Sequence, residues 1–223
     1  GVVAALIILG RSQVSLLLCL ALAALAVRSL AALPARDLLC PRRALAIGTA
    51  IGVTLALIAI PMLLTLQFAH FSNRPAMTLD TALRSSLYPL NLATLFSPDV
   101  FGSLEPLRDG NWGPGYSTRP EVDSTDRAFN YLFLGSLPAL LIVWHGLMGG
   151  RLLASGGRTL ALIGAVALLY AFGRYTPLYA FAFEHVPGIA MFRRPVGGTF
   201  IFVIAAAYLC GRLLADYVRD GSP

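Results

Sequence analysis

Residues 14–33 read VSLLLCLALAALAVRSLAAL, and residues 44–66 read ALAIGTAIGVTLALIAIPMLLTL. The first run holds one charge, Arg28, close to its end, and the second holds none. A helix of about 20 apolar residues crosses the ~30 Å hydrocarbon core of a bilayer. In lipid every backbone N–H and C=O must be satisfied within the segment, so such a run is a helix or it does not insert. These two stretches therefore predict transmembrane helices. The runs at 131–148, 159–173 and 196–218 repeat the pattern. The fold class they predict is all-α: a polytopic bundle of five spans forming one membrane domain, with polar loops at 67–130 and 174–195.

Composition agrees. The chain is 57% hydrophobic and 13% charged, and its mean hydropathy is +0.73. An ordinary soluble domain carries about 25% charged residues, and this chain has too few to clothe a water-facing surface of its size. Gly1 leads straight into the apolar run Val2–Leu9. The expectation is a chain that is the later part of a longer membrane protein.

All 17 basic residues are arginine, against 11 acidic ones, giving a net charge of +6. The arginines are scattered between apolar runs and form no basic stripe, which argues against nucleic-acid binding. Arg36, Arg42 and Arg43 sit in the link 34–43, and Arg151 and Arg158 in the link 149–158. The positive-inside bias makes both links cytoplasmic. Alternation then places 67–130 and 174–195 outside and the C-terminus inside, while Arg11 falls outside, in a short polar break.

The long outer loop is dense in turn formers, among them Ser97-Pro98-Asp99 and Gly113-Pro114-Gly115. Within it, Asp80–Arg84 predicts a short helix capped by Asp80, and Asn91–Phe96 is apolar enough to lie on the membrane surface. Its carboxylates, among them Asp99 and Glu105, show no spacing that singles out an acid or base, and read as solvated charges.

The loop 174–195 carries more information. Thr176 as cap and Pro177 at the first helical position predict a helix to about His185, stopped by Pro187-Gly188. Leu178, Phe181, Ala182 and His185 would form its membrane-facing side. Arg174, Arg193 and Arg194 run against the charge bias for an outer loop. Arg193 and Arg194 also precede a helix N-terminus, where free N–H groups favour an anion. Together they suit the phosphate of a lipid headgroup or of a lipid-linked donor; snorkelling to ordinary lipid phosphate is the plainer role.

Other residues read as structural. Cys19, Cys40 and Cys210 have no ligand spacing, and His70, His145 and His185 stand too far apart in sequence to suggest a metal site. His145 lies within a span near its cytoplasmic end, as an interfacial structural residue. Arg212 and Asp216 are four apart on one helix face and should pair. Gly10, Gly48, Gly52, Gly135, Gly164 and Gly211 mark close helix packing.

The order of short motifs resembles the YfhO family of bacterial multi-spanning membrane proteins, related to GT-C glycosyltransferases. The resemblance rests on Pro61, Gln67, Ser72-Asn73-Arg74 and the stretch Leu95-Phe96-Ser97-Pro98-Asp99-Val100-Phe101-Gly102. It continues in Asn130–Gly135, and then in Gly173-Arg174-Tyr175-Thr176-Pro177-Leu178-Tyr179, Val186-Pro187-Gly188 and Phe192-Arg193-Arg194-Pro195. It covers about the last three-quarters of the chain, in register with the topology. It implies a GT-C-like bundle in the bacterial inner membrane, moving a sugar from a polyprenyl-phosphate donor at the outer face. Its partners would be membrane lipids and the lipid-linked donor. Arg193, Arg194 and Arg174, with Arg74 in second rank, would hold the donor phosphate. The catalytic Asp of such enzymes sits in an earlier outer loop, so no catalytic residue is assigned in this chain, and neither a cofactor nor a metal. A transporter or flippase for a lipid-linked substrate, or a structural membrane subunit, are the readings from other classes.

The topology has a direct test. Single cysteines placed at Ser103 and Ser155, in a chain freed of its own cysteines, should react with an impermeant thiol reagent from opposite sides of the membrane. Labelling of both from one side would reject the alternation.

Overall fold

The computed structural model describes residues 13–34, 41–71, 78–102, 110, 112–113, 132–153, 156–186, 188–191 and 194–220. Among these, all regular structure is helical. Three helical stretches, Gln13–Ala31, Ala44–Pro61 and Pro195–Asp220, are long and apolar enough to cross a membrane. The chain divides into two compact units, residues 1–76 and 77–223.

The first unit holds α1 (Gln13–Ala31) and α2 (Pro41–Phe71). Their apolar side chains point outward: Val27 on α1 and Leu45, Ile60 and Leu63 on α2 are largely exposed. Ser29, Thr49 and Thr54 turn their hydroxyls back on their own helix. Ser29 Oγ donates to the Leu25 carbonyl at 2.9 Å and Thr54 Oγ1 to the Ala50 carbonyl at 2.8 Å. The protons of these hydroxyls are thereby not stranded in hydrocarbon. α2 passes through Pro61 and continues past Gln67, where the sequence predicts the polar loop to begin. Among the described residues nothing lies within 4 Å of where a Cβ would stand on Gly48 or Gly52, so those two glycines mark no packed contact there.

The second unit opens with α3 (Leu79–Leu83), and a 3-10 helix follows at Pro89–Leu95. α4 (Ser136–Leu141) runs on as a π-helix through Ile142–Met148. After a 3-10 turn at Arg151–Leu153 come α5 (Arg158–Ala171), a turn at Gly173–Tyr175, and α6 (Pro177–His185). Short turns at Ile189–Met191 and Pro195–Gly197 lead into α7 (Gly198–Asp220). The helix expected over 131–148 starts only at Ser136, because Gly135, at φ +107°, turns the chain into it.

α5 and α7 form the heart of this unit. Their facing sides are small: Gly164, Ala167 and Ala171 on one, Gly198, Ala205 and Ala206 on the other, all buried. A Cβ on Gly198 would run into the Ala167 carbonyl oxygen, and one on Gly164 would stand 3.2 Å from Ala205 Cβ. Small residues let backbones approach this closely, which is how helices gain dispersion energy where lipid removes the hydrophobic drive.

The two ends of the α5–α7 pair are finished differently. At one, the Leu87 N–H donates to the Ala171 carbonyl at 2.9 Å and the Val196 N–H to the Ser85 carbonyl at 3.3 Å. Leu87, Leu132, Ala171 and Val196 close a buried cluster flanked by Leu92, Leu95, Leu168 and Phe172. The stretch expected to lie on the membrane surface, Asn91–Phe96, is therefore partly turned inward. Asn91 and Thr94 are buried, with Thr94 Oγ1 accepting from the Leu132 N–H at 3.0 Å. Ser136 Oγ bolts the same stretch to the start of α4 through the Phe96 carbonyl at 2.6 Å. We call this the capped end.

At the other end Arg151 Nη1 meets Asp220 Oδ2 at 3.2 Å, joining the link after α4 to the last residue of α7. Asp216 takes Arg219 at 3.2 Å and Arg212 at 3.8 Å, the latter being the pair the sequence predicts. The hydrogen bond from Arg219 holds the Asp220 carboxyl below its ordinary range. The Arg212 guanidinium lies against Gly156, where any side chain would collide with it. The link 149–158 and the C-terminal end of α7 thus share one end, and the segments 78–102 and 173–197 share the other.

Local caps follow tertiary acceptors more than sequence rules. Thr78, not Asp80, caps α3, its Oγ1 accepting from the Thr81 N–H at 3.4 Å; Asp80 pairs instead with Arg84 at 3.7 Å. Thr176 stands at the cap position of α6, yet its hydroxyl donates to the Leu169 carbonyl at 2.6 Å. On α6 itself Tyr179 and Ala182 face inward, Tyr179 against Tyr170 with ring centroids 5.0 Å apart. Ala182 is thus on the packed side and not on the membrane-facing side the sequence suggests, while Phe181 and His185 are exposed and stacked on each other.

The α5–α7 crossing can be tested by substitution. Gly198→Val should destabilise the protein by about 1–3 kcal/mol, the usual cost of overpacking against atoms that cannot yield. Gly211→Ala, on an open stretch of the same helix, should leave the melting temperature unchanged or slightly raised. Thermal unfolding in detergent reads both.

Candidate functional site

The capped end gathers the cationic side chains that the sequence nominates, as far as they are described. Arg74 and Arg193 lie outside the described residues. Arg174 and Arg194 both belong to the capped end, on either side of the segment Ser85–Leu87.

Arg174 is positioned by its neighbours. Gly173 takes a left-handed φ of +51°, and a Cβ there would collide with Ser86 Oγ. That close approach lets the Arg174 N–H donate to Ser86 Oγ at 2.9 Å, while Ser86 Oγ donates to the Leu83 carbonyl at 2.6 Å. Arg174 Nε reaches the same Leu83 carbonyl at 3.3 Å. Leu83 ends α3, so a carbonyl left over by the helix is satisfied by a hydroxyl and a guanidinium together. Arg174 is half-buried and fixed in direction.

Arg194 is exposed and precedes the turn Pro195–Gly197, whose Gly197 N–H donates to its carbonyl at 2.9 Å. The sequence suggests free N–H groups here, ready for an anion. The structure differs. Pro195 has no N–H, the Val196 N–H is taken by Ser85, the Gly197 N–H by Arg194 itself, and residues 195–199 are buried. Any anion at this end would be held by guanidinium groups and not by an open helix terminus.

Two further features of this end escape a sequence reading. Arg84 stands one residue from Ser85 and is half-exposed, adding a third guanidinium. Its i,i+4 spacing from Asp80 was the available signal. Tyr88 and Tyr175 meet edge to face with centroids 5.4 Å apart, an aromatic pair beside Arg174. The link between them spans most of the second unit's sequence, so nothing local announces it.

Away from this end, His145 is fully enclosed in the π-helical stretch, its ring edge to face with Tyr217 at 5.5 Å. Neither ring nitrogen has a hydrogen-bond partner among the described residues. It is more deeply buried than an interfacial position implies. On α6, burial, with Tyr170 beside it, pushes the Tyr179 phenol well above its usual range, so it stays protonated. No group of histidine, cysteine or carboxylate side chains able to hold a metal occurs among the described residues.

No protein-family model, curated protein or solved structure matches the chain.

Ser86 is the pivot of the arginine-bearing end and the residue to test. Ser86→Ala removes the acceptor of the Arg174 N–H and one donor to Leu83 in a buried setting, a loss of about 1–3 kcal/mol. Hydrogen exchange at the Arg174 amide should accelerate, with little change at the α7 end near Asp220.

Proposed function

We propose that the chain is part of a membrane glycosyltransferase that takes a sugar from a polyprenyl-phosphate donor at the outer face of a bacterial inner membrane. The capped end is the phosphate-recognising part. The observation that carries this reading is the presence of Arg174, Arg194 and Arg84 at one end of an apolar helix bundle, with Arg174 held in place by Ser86 and Leu83. Guanidinium groups match phosphate oxygens in two-point geometry and remain charged in a partly dry setting. Arg193 adjoins Arg194 in the sequence and belongs to the same proposal, with Arg74 in second rank.

In such a transfer an acceptor hydroxyl attacks the anomeric carbon, and the bond from that carbon to the phosphate oxygen breaks. The electron pair leaves with the phosphate, and the hydroxyl proton passes to a base. Arginines at the phosphate lower the barrier by stabilising the negative charge that gathers on the leaving group. The resemblance assigns that base to an aspartate, which it does not place on any residue of this chain.

A flippase or transporter for the same kind of lipid would use the same arginines. His145 favours it as a second reading, because an ionisable residue enclosed within a membrane helix is a functional candidate. The two separate by product: the enzyme yields free polyprenyl phosphate, and the flippase moves the intact donor.

Binding of a polyprenyl-phosphate sugar should fall tenfold or more, about 1.4 kcal/mol, for at least one of Arg174→Ala, Arg193→Ala and Arg194→Ala. Arg158→Ala, at the opposite end, serves as control and should bind as the parent does. Equal affinity in all folded variants would leave the arginines as lipid anchors only.

A further inference from the structure

The helices at the centre of the second unit are short for a membrane. α5 has 14 residues, a length of about 21 Å, against a hydrocarbon core of ~30 Å. The apolar helical stretch Ser136–Met148 is no longer. α7 has the length, but its own charges begin at Arg212, level with Gly156 just before α5. At the other end, the bond from Leu87 to the Ala171 carbonyl places the capping segment directly on top of α5. The helices alone therefore leave several ångströms of acyl chain unmatched.

The surface of the capping segment has the chemistry to fill that gap. Leu90 is 60% exposed, Phe96 46%, Trp112 68%, and at the entry to α4 Phe133 is 43% and Leu137 73% exposed. Over residues 87–96 the polar side chains Asn91 and Thr94 are buried, and the exposed polar residues Ser97 and Asp99 follow only after Phe96. Segment and helix are one surface, since Ser136 Oγ holds the Phe96 carbonyl and Thr94 holds the Leu132 N–H. Phe101 and Trp112 are joined by a backbone bond of 2.9 Å and an edge-to-face ring contact at 5.3 Å. The exposed apolar face runs on down α4 through Leu140 to Trp144. Tryptophan near each end of a lipid-facing apolar surface is the pattern of interfacial anchoring.

We propose that the capping segment, residues 87–96, lies within one leaflet of the bilayer as part of the membrane-embedded surface, and not as an aqueous loop, with the polar stretch 97–102 and Trp112 at the headgroup boundary. Its occupant is lipid: acyl chains against Leu90, Phe96 and Leu137, and the headgroup boundary at Trp112. The deficit in helix length is thereby made up by protein, without thinning of the bilayer, which is the other known response to mismatch.

The two tryptophans make the test direct. The full chain carrying Trp144→Phe is reconstituted into phosphatidylcholine vesicles, with Trp112 as sole reporter. Phosphatidylcholine brominated near the top of the acyl chain should quench Trp112, and aqueous iodide should have little effect. The reciprocal variant, Trp112→Phe, reports Trp144 and should also lose emission to brominated lipid. A chain lacking both native tryptophans and carrying Leu90→Trp should respond as Trp112 does, which guards against a local effect of one substitution. Quenching of Trp112 and of the residue at 90 by iodide, with no response to brominated lipid, would overturn the proposal and leave bilayer thinning to absorb the mismatch. Loss of the lipid response at Trp144 as well would overturn it together with the lipid-facing assignment of α4.

Discussion

The close approach of α5 and α7 governs most of what surrounds it. With Gly198 pressed on the Ala167 carbonyl and Gly164 on Ala205, the two backbones run too near each other for any larger pair of faces. That contact fixes their relative height. Ala171 and Val196 then stand side by side, and the single segment Ser85–Leu87 bonds both at once. Because that segment is held there, Ser86 reaches Gly173 and Arg174, and Leu83 receives the guanidinium. The arginine geometry at the capped end is a consequence of small residues some distance below it.

Much of the fold can be read from the chain itself, because lipid imposes a simple demand. A stretch that must satisfy its own backbone in hydrocarbon has to be apolar and helical, and the stretches at 14–33, 44–66 and 196–218 announce themselves. α6 is equally legible, since Pro177 starts it and the stretch ending at Pro187-Gly188 cannot continue it. The Arg212–Asp216 pair follows from spacing on one helix. Other features depend on partners far away in sequence. Thr176 has the residue type of a cap, but a carbonyl at Leu169 competes for its hydroxyl and wins. Asn91–Phe96 has the composition of a surface stretch, yet Thr94 finds the Leu132 N–H and turns inward. Among site residues, Arg174 and Arg194 share the one short loop 174–195, which the sequence delimits by itself. Ser86 and Arg84, which complete that end, lie in a different loop and are brought in by backbone bonds that no pattern advertises.

The closed N-terminus of α7 changes the kind of recognition this end can offer. An open helix terminus binds an anion through N–H groups that point at one spot. Here Val196 and Gly197 have spent theirs within the protein. What remains is carried by side chains: one guanidinium bonded to the Leu83 carbonyl, on a backbone that Ser86 holds, and others on exposed positions. A locked charge supplies direction and an exposed one supplies reach, which is what the proposed recognition of a lipid-borne phosphate would need.

The two ends of the second unit resolve the same problem in opposite ways. Where α7 leaves the apolar zone it does so with charges on the helix itself, paired across Arg212, Asp216, Arg219 and Asp220 and tied to Arg151. Pairs of this kind at a water-facing end contribute little stability each. Their effect is positional: a helix with such charges cannot slide deeper into lipid without stripping them of water. Slippage in the other direction is opposed by the capped end, where a folded segment sits directly on α5 through Leu87 and Ala171. His145, enclosed close to the charged end with both nitrogens lacking partners among the described residues, lies just inside this boundary, where the π-helix widens the backbone around it. A buried polar group without a partner costs free energy, and it persists only where the surrounding packing is strong enough to hold it. That packing comes from α7, whose Tyr217 meets the ring and whose Leu213 fills the space beside Gly146. The same helix thus sets the depth of the bundle by its charges and encloses the imidazole by its apolar side.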